Sequence, residues 1–166
     1  MPSKQGDVSL LLEPVAQQLL QSKNPAYLAY NWSDGTPRVI PIGFHWNGEE
    51  MVMATVPDSP KMKVLKDGSR VAVSIDHNTT PPKILTIRGT VHVDTVEGLA
   101  PEYVAMIRRT MSKEEGETLL AGAARLYPRQ ARIFIRPDWV GLLDFETRLP
   151  SAVERAIEQA ANQHED

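Results

Sequence analysis

Residues 38–56 constrain the fold more than any other stretch. RVIPIGFHW (38–46) reads as a strand, Asn47-Gly48 as a hairpin turn, and EMVMATV (50–56) as the strand that returns. Strands joined by so tight a turn pair antiparallel. Pro41 lacks a ladder donor, which puts the first strand at an edge or a bulge. The same pattern recurs along the chain. AYLAYNW (26–32) is a strand that turns at SDGT (33–36). RVAVSID (70–76) alternates, with Val71, Val73 and Ile75 on one face. A loop containing TTPP (79–82) leads to KILTIRGTVHV (83–93), where Gly89 marks a bulge or bend. ARIFIRP (131–137) and WVGLLDF (139–145) are the last two strands.

Helices lie between and after these strands. Pro14 suits a first helical position and is followed by Val15, Leu19 and Leu20. A second helix starts near Pro101, and a third opens on the capping box Ser112-Lys113-Glu114-Glu115. PSAVERAIEQAA (150–161) sets Val153, Ala156, Ile157 and Ala160 on one side of a closing helix. About seven strands with hairpin links, plus these helices, give a mainly β, α+β chain: an antiparallel barrel with helical additions.

The 166 residues suffice for one domain with a proper core, and 42% apolar with 23% charged residues is ordinary for a globular chain. There are no cysteines, which excludes disulfides, a zinc ribbon and thiol catalysis. A net charge of -3 and a pI near 5.8 argue against a nucleic-acid partner. No apolar run has the length of a membrane span, and MPSKQGDVSL lacks the layout of a secretory signal; both fit a cytoplasmic protein.

One stretch runs against the net charge. PDSPKMKVLKDGSR (57–70) holds Lys61, Lys63, Lys66 and Arg70 against Asp58 and Asp67, and reads as a short helix ending at Gly68. Ser59 is a natural N-cap, and Pro60 fits the first helical position. A lysine in the first turn opposes the helix dipole, whereas an anion bound there would favour it. A solvated basic face is the equal alternative.

Other constellations carry less. His45, His77, His92 and His164 form no spaced pair of the metal-ligand type, so no metal is expected. Ser74, Asp76 and His77 do not make a triad, because strand neighbours face opposite ways. Glu49-Glu50 and Glu114-Glu115 sit beside a turn and a helix start, where exposure is the default. No catalytic acid or base stands out.

The order of these segments resembles the pyridoxamine 5'-phosphate oxidase-like family of flavin- and deazaflavin-binding split barrels. The resemblance rests on TPRVIPIGFHW, the NG turn, MVMATV, DSPK with its helix, RVAVSID and ILTIRGTVHV. It covers residues 14–94 well and 131–149 more loosely. It implies one split-barrel domain over 1–166, with a cofactor-binding core (14–94), a helical insertion (97–128), C-terminal strands (131–149) and a closing helix (150–163). It also implies that Arg38, Thr55, Ser59 and Lys61 hold the cofactor phosphate. The ring would lie against the backbone of Val39, Ile40, Pro41 and Ile42, near Arg88 and Gly89. Trp139, if not simply half-buried in the core, would close over the groove, and Arg148 would face substrate.

The implied protein is a homodimer with its cofactor between subunits. It would be an oxidoreductase that passes a hydride to or from a small planar substrate. FMN is the expected cofactor and the deazaflavin coenzyme F-420 the alternative. A non-catalytic flavin or haem carrier or sensor on the same barrel is the rival reading. Three departures bear on the chemistry. Pro60 stands where the oxidases have a phosphate-binding Arg, Ile84 where they have a ring-binding Gln, and Pro150 where they have a substrate-binding His. The last argues against pyridoxamine phosphate as the substrate.

Overall fold

The computed structural model describes residues 4–163. His164 lies outside them. In chain order a 3-10 turn (Val8–Leu12) precedes α1 (Pro14–Leu20), β1 (Ala26–Asn31), β2 (Pro37–Ile42), β3 (His45–Trp46) and β4 (Met51–Thr55). A second 3-10 turn (Pro60–Lys63) leads to β5 (Arg70–His77) and β6 (Lys83–Glu97). Then come α2 (Pro101–Thr110), α3 (Lys113–Leu126), β7 (Arg129–Leu143) and α4 (Ser151–Asn162).

The seven strands form one sheet in the order β2-β1-β5-β6-β7-β4-β3, antiparallel throughout. Ile42 ends one edge strand and His45 begins the other, with only Gly43 and Phe44 between them. Three Cα steps span at most about 11 Å. Seven strands laid flat would be about 29 Å across. The sheet must therefore curl until its edges meet, and the result is a split barrel. Leu28, Met51, Met53, Ile75, Leu85, Ile87, Ile133 and Ile135 fill its interior.

The sequence reads 38–46 as one strand, but the chain breaks after Ile42. Phe44 is 1% exposed and drops into the core, while a Cβ on Gly43 would sit 2.7 Å from Met106 Cε of α2. That swing moves the chain from one sheet edge to the other. Pro41 does lie on an edge strand, opposite Tyr27. The Asn47-Gly48 hairpin forms with Gly48-Glu49 at its tip. The Asn47 amide donates to the Glu50 carbonyl at 3.1 Å, and Gly48 has φ 104°.

The segments 131–137 and 139–145 are one strand, β7, rather than two. Pro137 pairs with Gly89 and Trp139 with Arg88, so Asp138 is an extra residue in a bulge. Gly89 is needed there, because a Cβ would collide with the Arg136 carbonyl oxygen.

The expected basic helix is also shorter than its composition suggests. It is a four-residue 3-10 turn, Pro60–Lys63, and Ser59 makes no side-chain cap. Leu65 is buried directly after it. Gly68 then donates to the Val91 carbonyl at 2.9 Å, and Val91 to the Ser69 carbonyl at 2.8 Å. These bonds bind the chain to β6 before a longer helix can wind.

Ser112 caps α3: its hydroxyl accepts from the Glu115 amide at 3.3 Å and donates to the Glu115 carboxylate at 2.6 Å. α2 is fastened to the sheet by charge. Arg132 of β7 donates from Nε and Nη2 to Glu102 of α2, and from Nη1 at 3.0 Å to Asp94 of β6. α4 forms, and all its described residues are exposed, Val153 by 41% and Ile157 by 54%. No helix among the described residues is long and apolar enough to cross a membrane.

Candidate functional site

The turn after β4 gathers three of the expected residues. Thr55 ends the strand, and its hydroxyl donates to the Ser59 hydroxyl at 3.2 Å. The backbone folds to allow this: the Ser59 amide donates to the Val56 carbonyl at 3.1 Å and the Met62 amide to the Ser59 carbonyl at 2.9 Å. Met62 packs on the core and anchors the turn from below.

Lys61, between them, is partly buried, and burial lowers the pKa of its ammonium. No carboxylate among the described residues pairs with it. A half-buried cation without a partner is costly, and an anion bound there would offset the cost. The residues thus fit a phosphate. Lys63 and Lys66, by contrast, are exposed.

Arg38 is the second residue of β2, and its guanidinium carbon lies over Trp32, 3.9 Å from the ring centroid. Val39, Ile40, Pro41 and Ile42 follow along the edge strand, which pairs only with β1. An edge strand leaves alternate N–H and C=O groups unpaired, ready for a flat heterocycle. Val39 is 64% exposed. The β3–β4 register sets His45 against Val52 and Trp46 against Met51. Only Gly43 and Phe44 then separate the end of β2 at Ile42 from β3, whose partner β4 ends at Thr55 beside the lysine turn.

Arg88 and Gly89 stand across the sheet from that edge. One row of paired residues crosses five strands: Val39, Ala29, Ala72, Arg88 and Trp139. Arg88 lies over the Trp139 ring at 4.0 Å. Trp139 is half-buried, so the two readings of it combine: it is packed into the structure and faces the outer row. Arg148 is mostly buried and pairs with Glu13 at 3.6 Å, away from this row.

Sequence reasoning missed several residues here. Trp32 lies beneath Arg38, and the SDGT turn that brings them together was the available signal. Arg70, counted with the basic stretch, forms a two-pronged pair with Asp138 and also donates to Thr90 at 2.7 Å. Asp138 is the bulge residue, and a two-strand reading of β7 hides it. Asp144 closes the turn before Arg148. Burial alone would raise its carboxyl, but the Thr147 hydroxyl and the amides of Thr147, Glu146 and Arg148 outweigh that and lower it to about 2. No cluster of three or more metal-ligating side chains occurs among the described residues.

A model of the pyridoxamine 5'-phosphate oxidase family matches residues 12–141. No curated protein matches the chain at a significant level. Several solved structures share the fold. An F420 reductase is 24% identical with TM-score 0.59, over 75% of this chain and 94% of that one. The conserved hypothetical protein Rv2991 from Mycobacterium tuberculosis is 16% identical with TM-score 0.62, over 87% and 91%. HutZ, the haem storage protein from Vibrio cholerae, is 19% identical with TM-score 0.57, over 79% and 94%.

Proposed function

Because this chain belongs to the pyridoxamine 5'-phosphate oxidase family, we propose that it binds a flavin-type cofactor and works as an oxidoreductase on a small planar substrate. The observation that carries the proposal is Lys61, a partly buried cation with no acidic partner among the described residues, beside two hydrogen-bonded hydroxyls. Lys61, Thr55 and Ser59 would hold the cofactor phosphate, with Arg38 completing the charge. The β2 edge from Val39 to Ile42 would hold the ring, with Arg88 and Gly89 at its border.

When bound, a flavin or deazaflavin ring supplies the hydride chemistry, which leaves the protein to bind and orient. That division of labour suits a site whose clearest features are cations, hydroxyls and backbone. FMN is the first candidate and coenzyme F-420 the second; the shared fold with an F420 reductase supports keeping both. We place the cofactor between two copies of the chain. Tyr27, 43% exposed, and Val39, 64% exposed, lie on the outer sheet face that a second copy would cover.

A non-catalytic carrier is the second reading, favoured by the shared fold with a haem storage protein. The absorbance spectrum of the purified chain, followed by mass spectrometry of whatever it releases, tests the proposal. A flavin or deazaflavin band with the matching mass supports it. A Soret band with haem released would replace it with the carrier reading.

A further inference from the structure

Arg88 has a second property that phosphate holding and ring binding do not use. Its guanidinium carbon lies over the Trp139 ring, 4.0 Å from the centroid, and the side chain makes no hydrogen bond or ion pair among the described residues. A cation held over an indole keeps its N–H donors available, and a guanidinium with free donors can grip a carboxylate with two bonds.

The stack is held from both sides. A Cβ on Gly6 would come within 2.8 Å of Trp139 Nε1, and one on Gly141 within 2.7 Å of the far end of the same indole. The indole sits in a slot that only glycines leave open. The N-terminal segment is laced to β7 to form this slot. The Gly6 backbone amide donates to the Val140 carbonyl at 2.7 Å, the Gln5 side-chain amide to the Leu142 carbonyl at 2.6 Å, and the Leu142 backbone amide to the Gln5 side-chain oxygen at 2.9 Å. An exposed arginine is ordinarily mobile; this one rests on a fixed aromatic plate.

Arg88 also borders a groove of about 290 Å³ on the outer face of the sheet. Its floor includes Ala29 and Ala72, and Arg70 and Asn31 line its end. No carboxylate lines it, and the Arg70 charge is already answered by Asp138. A flat, mostly apolar floor beside one unanswered, pre-oriented guanidinium matches an aromatic or conjugated acid.

We propose that this groove binds a planar carboxylate, with Arg88 gripping the acid group and Trp139 and the Gln5–Gly6 strap positioning Arg88. Its role as a substrate site rests on the cofactor reading above; the affinity of the groove for a planar acid does not.

The test is calorimetric titration of the full chain, before and after adding FMN, with 2-naphthoate and with its neutral isostere 2-naphthamide. The acid should bind at least tenfold more tightly than the amide. Arg88→Gln should bring the two within twofold, and Arg88→Lys should restore only part of the gap. Trp139→Leu should narrow the gap without abolishing it, as loss of a positioning residue would. Arg125→Gln, an exposed arginine elsewhere, should leave the gap unchanged, and circular dichroism confirms that each variant is folded. A wild-type gap below tenfold, no binding of either probe, or a gap that survives Arg88→Gln overturns the proposal. FMN binding with equal probe affinities would sink this proposal alone. A preserved gap with no FMN binding would sink the cofactor reading alone.

Discussion

Thr55 and Ser59 share a hydrogen bond of 3.2 Å across the turn that follows β4, and Lys61 lies two residues further on, partly buried. One short turn thus holds two hydroxyls and a cation whose charge burial opposes. Lys61→Ala should weaken FMN binding by about 1.5–3 kcal/mol, the size of a hydrogen bond to a charged group. Lys66→Ala should change it far less, since Lys66 is exposed outside the turn. Calorimetry on both variants checks this. Equal losses would mean diffuse attraction and no phosphate site.

The ion pair between Arg132 and Glu102 fastens α2 to the sheet, with side chains only 20% and 13% exposed. The Glu102 hydrogen bond is the main cause that raises the Arg132 pKa. Glu102→Ala leaves a poorly solvated guanidinium with Asp94 alone, and should cost about 2–3 kcal/mol, somewhat below a fully buried pair. Urea unfolding measures it. A loss under about 0.5 kcal/mol would place this contact with ordinary surface pairs.

Asp144 gives the fold an acid limit. Its carboxyl titrates at about 2 in the folded chain against 3.8 in the free side chain. A depressed pKa contributes stability that is complete above about pH 4 and lost as the pH falls toward 2. The difference amounts to about 2 kcal/mol. Asp144→Asn should therefore be less stable than the wild type at pH 7, and the gap should shrink to well under about 1 kcal/mol by pH 2. A gap that stays constant over that range would show that geometry, not charge, sets the turn.

Gly89 has the most sharply defined steric demand in the bulge. Gly89→Ala would drive a methyl into the Arg136 carbonyl oxygen and to 2.9 Å from Ile135 Cγ2. Backbone must move, at a cost of about 2–4 kcal/mol. Thermal unfolding of this variant against Gly122→Ala, where nothing lies within 4 Å, separates sterics from any general effect of losing glycine.

Local pattern made most of the barrel legible. The alternation of Val71, Val73 and Ile75 sets the buried face of β5, and Ser112 caps the start of α3 through the Glu115 amide. Gly89 marked a bulge because only glycine tolerates the Arg136 carbonyl so near. What sequence could not supply was placement at long range. Nothing local says that Phe44 leaves the strand for the core and carries the chain to the opposite edge. The basic stretch looked helical because propensity ignores the bonds from Gly68 and to Ser69 that tie the chain to Val91. Within the site, the Thr55–Ser59 approach is four residues long and could be anticipated. The Arg88–Trp139 stack joins residues 51 positions apart, and its slot depends on Gly6, further still.

The most direct test of the account is titration of the cofactor-free chain with FMN and, separately, with coenzyme F-420. At least one should bind with Kd below about 100 µM, equivalent to about 5.5 kcal/mol, and Lys61→Ala should weaken it. Binding of neither below that concentration would contradict the cofactor site.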